Sequence, residues 1–135
     1  MVQIDIAYRG QLRCEATHAP SGTTLATDAP VDNQGRGESF SPTDLFATSL
    51  GVCMLTIMGI AAQGRGWSLE GTEVTVVKHM VADPARRIGK LEVRMRVPGE
   101  WDERQRKVLL AAADTCPVKQ SLSERVEVEL DVTWG

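Results

Sequence analysis

The chain has 135 residues, of which 42% are apolar and 24% charged, and this suits a single soluble domain with a sizeable core. Fifteen Lys and Arg against eighteen Asp and Glu give a net charge of -3, a mild acidic balance that offers no electrostatic footprint for nucleic acid or an anionic membrane. The N-terminal segment lacks the basic start and apolar core of a signal peptide, so we expect a cytoplasmic protein.

The first forty residues predict three short strands and a loop. Alternating apolar residues and turn signals place the starts of the strands near Val2, Leu12 and Thr23, with the first strand half-buried and the second returning antiparallel to it. Residues 28–40 are polar and rich in Gly, Asn and Asp, so we expect a loop there. Loops of this length in a compact domain tend to be functional.

A long helix is predicted from residue 42 to about residue 63. Ser41 can cap it, Pro42 suits the first helical position, and Asp44 completes a capping box. The stretch 45–62 has no charged residue over eighteen positions, the lower limit for a membrane span. Because it contains Thr, Ser and Gly and lacks flanking anchors, we interpret it as a helix covered on all sides by protein, with no membrane partner.

The second half of the chain predicts two strands, two helices and a closing strand. These are strands at 71–81 and 88–97, helices at 101–113 and 117–123, and a strand at 126–134. The apolar residues expected to face the core are Val74, Val76, Leu91, Val93, Met95 and Val97. The element order βββ-α-ββ-αα-β predicts an α+β domain with segregated helices and sheets.

Three cysteines are the residues best able to carry chemistry, since no ligand spacing predicts a metal site and no cofactor is expected. Cys53 lies mid-helix, where it is either a small buried hydrophobe or a thiolate activated by a cation from elsewhere in the fold. Cys116 lies at the cap position before Pro117, where it is either a thiolate favoured by the helix terminus or simply a small turn residue. Cys14 follows Arg13 on a predicted strand, where it is either a thiol made acidic by the arginine or, as we expect, a buried or half-buried strand residue.

Two segments around Cys53 and Cys116 resemble the signature stretches of the OsmC/Ohr family, small thiol-dependent peroxidases and their relatives. The segments are Ser41-Pro42-Thr43-Asp44-Leu45 with Gly51-Val52-Cys53, and Cys116-Pro117-Val118-Lys119-Gln120-Ser121-Leu122. The resemblance implies an α+β fold in which antiparallel sheets pack on a long central helix. It also implies an intertwined homodimer that serves in stress defence.

The resemblance implies a two-cysteine cycle as well. The residue matching Cys53 attacks a hydroperoxide, with organic hydroperoxides as candidate substrates, and becomes a sulfenic acid. The residue matching Cys116 converts the sulfenic acid into a disulfide, which an external dithiol then reduces.

The activating pair of the peroxidase branches is only partly matched. Those branches carry a Glu ten residues before the reactive cysteine, and this Glu pairs with an activating Arg. This chain has Thr43 at that position, and its nearest carboxylate is Asp44, one residue later. A shift of one helical residue turns a side chain by about 100°. Arg36 is the best match to the arginine of the OsmC branch, and Arg9 and Arg13 are the candidates for that of the Ohr branch. The alternative function is therefore a small-ligand binding protein or thiol sensor that retains the fold and both cysteines.

Overall fold

The computed structural model describes all 135 residues, and they form two compact units, residues 1–46 and 47–135. The elements follow the predicted order, with one added 3₁₀ turn. They are β1 (Ile4–Gly10), β2 (Arg13–His18), β3 (Thr24–Thr27), the 3₁₀ turn (Val31–Asn33), α1 (Pro42–Gln63), β4 (Glu73–Val81), β5 (Arg87–Val97), α2 (Glu103–Asp114), α3 (Pro117–Gln120) and β6 (Glu127–Trp134). The predicted α+β class is confirmed.

The first unit contains an antiparallel sheet in the order β1-β2-β3. Its register pairs Ile6 with Ala16, and Ala16 with Leu25, so these residues share one face. The prediction that the first strand is half-buried is wrong for the single chain, because Ile6 is 70% exposed. No apolar residue of the first unit is buried, since three short strands and a loop supply no second apolar layer within this unit.

Two hydrogen bonds between Ser41 and Asp44 confirm the predicted start of α1. The backbone N–H of Asp44 donates to Ser41 Oγ at 3.1 Å, and the backbone N–H of Ser41 donates to Asp44 Oδ2 at 2.9 Å. This reciprocal capping box satisfies two donors that a helix start leaves without partners. The helix ends at Gln63. The turn that follows it is closed by a hydrogen bond from the backbone N–H of Trp67 to Ala62 O at 2.9 Å.

One face of α1 lies in the core of the second unit, and the other face is exposed. Leu50, Met54 and Met58 are buried, whereas Val52 and Ile60 are 59% and 62% exposed. The expectation of a helix covered on all sides is therefore wrong for the single chain. By length and composition α1 could also cross a membrane, a test that the core helix of a soluble protein passes equally.

The second unit is built on a sheet in the order β4-β5-β6. The β4–β5 pair is antiparallel, but β6 lies parallel to β5, which differs from the expected all-antiparallel arrangement. The segment that contains α2 and α3 is a crossover connection between these two strands. It carries the chain back to the end of the sheet at which β5 begins, so β6 runs in the same direction as β5. Of the predicted core positions, the four on β5 are buried and the two on β4 are half-buried against the core.

The approach of α1 to β4 depends on a glycine. A Cβ atom on Gly51 would lie 2.6 Å from Val76 Cγ2 and 3.3 Å from Val74 Cγ1. Valine is stiff at χ1, so neither neighbour can easily move aside. Gly59, two turns further along the same helix, would place a Cβ in open space. The absence of a side chain at Gly51 therefore lets the helix pack closely against the sheet two residues before Cys53.

The helices after β5 begin as predicted and differ in length. Asp102 caps α2, accepting from the backbone N–H of Gln105 at 2.8 Å, while the Gln105 side chain accepts from the backbone N–H of Asp102. Thr115 ends α2, and α3 begins at Pro117. The helix predicted at 117–123 is shorter than expected, because α3 stops at Gln120 and is a single turn.

Candidate active site

The second unit brings Cys53 and Cys116 together. Cys53 comes from the middle of α1, and Cys116 from the junction of α2 and α3. The two thiols lie within hydrogen-bonding reach of each other, and both are unoxidised. Cys116 is completely buried, whereas Cys53 is half-buried, so Cys53 is the residue of the pair that retains exposure to solvent.

The environment of Cys116 favours the neutral thiol. Its Sγ accepts a hydrogen bond from the backbone N–H of Lys119 at 3.4 Å, as expected of a residue that caps α3. Burial nevertheless raises the pKa of Cys116, and the contact with the Cys53 thiol raises it further, while the backbone N–H groups of Lys119 and Val118 oppose this. The direction of this shift goes against the hypothesis that the helix terminus favours a Cys116 thiolate, because burial and the Cys53 contact outweigh the backbone N–H groups at the start of α3.

The surroundings of both sulfurs are apolar. Cys116 belongs to the same buried cluster as Met54 and Leu109, and Cys53 packs against that cluster. The nearest basic residue in the sequence to Cys116 is Lys119, whose ammonium is paired with the Asp114 carboxylate. A low-dielectric environment of this kind strengthens any charge interaction that reaches the sulfurs.

A cluster of charged side chains lies in the first unit, centred on Arg13. The Arg13 guanidinium contacts Glu38 Oε2 at 2.5 Å and Asp28 Oδ2 at 3.5 Å. The hydrogen bond and the charge of Glu38 raise the pKa of Arg13, and the Asp28 charge adds to this. Sequence reasoning included Arg13 but missed Asp28 and Glu38, because the loop sequence does not indicate which carboxylates turn toward β2.

The other two candidate arginines are exposed. Arg9 forms an ion pair with Glu15 at 3.0 Å on the sheet surface. Exposed pairs of this kind contribute only about 0.2–1 kcal/mol. Arg36 lies in the loop between Gly35 and Gly37.

The two candidates at the start of α1 take part in local contacts. Asp44 forms the capping box with Ser41, so its carboxylate stabilises the helix start. Thr43 Oγ1 lies 3.2 Å from Ser41 Oγ, and either hydroxyl can donate. The first turn of α1 is thus organised around Ser41.

The third cysteine lies in the first unit. Cys14 is half-buried on β2, opposite Tyr8 of β1 and Thr27 of β3. The expectation of a buried or half-buried strand cysteine is confirmed.

An α+β unit in which two helical segments bring a pair of thiols together in an apolar core defines a class of small thiol protein. A model of the OsmC-like protein family matches residues 35–131. The chain belongs to the OsmC-like family, as the two cysteine motifs predicted. No match was found among curated proteins.

Solved structures similar to this chain extend the comparison. A candidate osmotic stress induced and detoxification response protein from Psychrobacter arcticus is 42% identical, with a TM-score of 0.93 over 98% of this chain and 96% of that one. An organic hydroperoxide resistance protein OsmC from Legionella pneumophila is 21% identical, with a TM-score of 0.75 over 98% and 96%. An organic hydroperoxide resistance protein from Elizabethkingia anophelis is 16% identical, with a TM-score of 0.79 over 100% and 96%. The last two likenesses show the fold.

Proposed function

We propose that this protein is a cytoplasmic two-cysteine peroxidase that reduces hydroperoxides, with organic hydroperoxides as its main substrates. The observation that carries the proposal is the contact between a half-buried thiol, Cys53, and a fully buried one, Cys116. The names of the Legionella and Elizabethkingia proteins, both organic hydroperoxide resistance proteins, agree with this substrate class.

The exposure of the two sulfurs supports a division of roles. Cys53 is accessible, so its thiolate attacks the outer peroxide oxygen, the O–O bond breaks, and the alcohol leaves with a proton while Cys53 becomes a sulfenic acid. The Cys116 thiol already lies beside that sulfur, and as its sulfur attacks, its proton passes to the departing hydroxide, which leaves as water. The resulting disulfide is reduced to two thiols by an external dithiol.

The arginine that activates Cys53 is proposed to be Arg36. A cation near a thiolate stabilises it, and an apolar environment strengthens the effect. Within the first unit, Arg9 and Arg13 are each paired with carboxylates, whereas Arg36 is exposed on a loop. This arrangement favours Arg36 as the guanidinium that meets the thiolate and the peroxide.

Replacing this arginine should slow the first chemical step. We expect Arg36→Ala to lower the rate of Cys53 sulfenic acid formation by roughly ten- to a hundredfold, because a neighbouring charge changes the thiolate population by about this factor. Stopped-flow oxidation by cumene hydroperoxide measures the rate. Arg104→Ala, which removes an exposed arginine from α2, is the matched control and should react at the wild-type rate. Equal rates for both variants would remove Arg36 from the mechanism.

Steady-state turnover tests the proposed function itself. The wild-type protein should reduce cumene hydroperoxide and tert-butyl hydroperoxide with a dithiol as electron donor, and hydrogen peroxide more slowly. Consumption of each peroxide is followed against the reaction of the dithiol alone. If none of the three is consumed faster than by free dithiol, the protein is not a peroxidase. Thr43 in place of the family glutamate would then favour the binding-protein or sensor alternative.

A homodimer completes the proposal. The first unit buries none of its apolar residues, and the outer face of α1 exposes Val52 and Ile60. A surface groove of about 230 Å³ lies beside this face, lined by Thr48, Gly51, Val52, Leu55, Val74 and Val76. Exposed apolar area of this extent is unusual for a monomer and is typical of an interface. We infer that a second copy of the chain covers it, as the family resemblance implies.

A further inference from the structure

Asp28 is the only buried charged residue of the chain, and its side chain is 1% exposed. A carboxylate out of contact with water is retained only where charges and hydrogen bonds compensate for the lost solvation. Asp28 Oδ2 accepts from the backbone N–H of Glu38 at 3.1 Å and lies 3.5 Å from the Arg13 guanidinium. The partners of Asp28 are therefore the far end of the 28–40 loop and the strand β2.

The loop that starts at Asp28 closes on itself. The backbone N–H of Asp28 donates to Phe40 O at 3.1 Å, and that of Gly37 donates to Ala29 O at 3.2 Å. The two ends of the loop are thus joined by main-chain hydrogen bonds, as in a compact Ω-loop. A loop with joined ends has few conformations available to its tip.

The tip of the loop is held by two glycines on either side of Arg36. A Cβ on Gly35 would lie 1.8 Å from Ala29 O, and a Cβ on Gly37 would lie 2.8 Å from Val31 Cγ2. Gly37 also has a φ of +64°, a conformation that other residues rarely adopt. Arg36 is therefore presented by a tightly packed backbone rather than by a loose segment.

Arg13 connects this loop to the sheet. Its guanidinium contacts the Glu38 side chain, which is 55% exposed, and the Asp28 side chain, which is buried. The contact with Glu38 is the closer of the two, at 2.5 Å, but it is exposed and screened by water. The contact with Asp28, at 3.5 Å, involves a carboxylate shielded from water, so we assign the order of the loop mainly to Asp28. Removing the charge of Asp28 would weaken the attachment of both the loop end and the arginine to their common anchor.

We propose that Asp28 is a positioning residue that acts through Arg13 and the backbone of Glu38 to fix the 28–40 loop, and so sets where Arg36 is presented. The link to peroxide chemistry rests on the proposed function, in which Arg36 activates Cys53. The fixing of the loop is a property of the first unit alone.

Trypsin provides a direct reporter, because the bond after Arg36 lies at the tip of this loop. Asp28→Asn keeps the shape of the side chain and removes its charge, and we expect cleavage after Arg36, identified by mass spectrometry, to be at least tenfold faster than in wild type. Glu38→Gln changes only an exposed side chain and should give a smaller increase of the same sign, so it tests the proposal even if Asp28→Asn folds poorly. Glu15→Gln, which affects the separate pair with Arg9, is the matched control and should leave cleavage unchanged.

A double variant tests whether Asp28 acts through Arg13. Adding Asp28→Asn to Arg13→Ala should accelerate cleavage less than Asp28→Asn does in the wild-type background, since the contact with Arg13 is already lost and only the bond to the backbone N–H of Glu38 remains to be weakened. Fluorescence of Trp67, Trp101 and Trp134, all in the second unit, should stay at its wild-type value in every variant. Additive effects of the two substitutions would overturn the assignment.

The rate of Cys53 oxidation distinguishes an effect of Asp28 on the order of the loop from an effect on the peroxide chemistry. If Asp28→Asn loosens the loop and slows oxidation of Cys53 by cumene hydroperoxide at least fivefold, both parts of the proposal hold. Unchanged cleavage after Arg36 in both Asp28→Asn and Glu38→Gln overturns the proposal, and faster cleavage with unchanged oxidation overturns the positioning role. If wild-type Cys53 does not react with hydroperoxide, the proposed function fails, and the cleavage rates alone decide whether Asp28 fixes the loop.

Discussion

Cys53→Ser should lose all hydroperoxide turnover, because serine forms no thiolate and cannot become a sulfenic acid. Cys116→Ser should complete one oxidation and then stop, since the sulfenic acid at Cys53 has no neighbouring thiol with which to form a disulfide. With excess peroxide this variant should proceed to the sulfinic acid, which adds a second oxygen to the sulfur. Turnover is measured in the steady state, and the oxidation state of each cysteine by intact-protein and peptide mass spectrometry.

The third cysteine provides the control for these variants. Cys14→Ser should turn over at the wild-type rate, because Cys14 lies on the first-unit sheet and has no part in the proposed cycle. In wild type, one equivalent of hydroperoxide should give a Cys53–Cys116 linkage with Cys14 unmodified. A disulfide that contains Cys14, or full turnover by Cys116→Ser, would contradict the assigned roles.

The second large effect is expected on dimer assembly, when a charged residue is placed on the apolar face of the first-unit sheet. Wild type should sediment as a dimer at micromolar concentration. Ile6→Asp should dissociate it or raise the dissociation constant by at least about a hundredfold, since burying an unpaired carboxylate in an apolar interface costs several kcal/mol. Analytical ultracentrifugation over a range of concentrations measures the constant.

The control for assembly places the same charge beside the same strand. Gln3→Asp adds a carboxylate just before β1, at a position that alternation assigns to the opposite face from Ile4 and Ile6. This variant should remain a dimer. A folded wild-type monomer at micromolar concentration would contradict the inferred homodimer, and equal dissociation of the two variants would show that this face is not the interface.

The parts of the fold that depend on neighbours in sequence could be predicted from the sequence. The capping box of Ser41 and Asp44 requires only residues three apart, and the alternation on β5 requires only a period of two. The pairing of Cys53 with Cys116 came from the family resemblance of two motifs, since neither cysteine by itself indicates a partner. Local signals were sufficient for the elements, and the resemblance for the thiol pair.

Other features could not be predicted because they depend on tertiary contacts. The burial of Cys116 raises its pKa against the opposing effect of the backbone N–H groups at the start of α3, and burial is a property of the whole core. The Asp28–Arg13–Glu38 cluster joins residues from a strand and both ends of a loop. An apolar pattern likewise identifies a face, as on β1 and α1, but does not identify what covers it.

The packing at Gly51 explains why the motif that carries the family resemblance contains a glycine two residues before the cysteine. In the segment Gly51-Val52-Cys53 the cysteine supplies the chemistry, but the glycine is required because a methyl group would meet Val76 at 2.6 Å. Gly59 carries no such requirement, because a Cβ there would lie in open space. The motif therefore combines one residue needed for reactivity with one needed for volume. A variant that lacks the Cys53 thiol, such as Cys53→Ser, still needs the glycine for this packing.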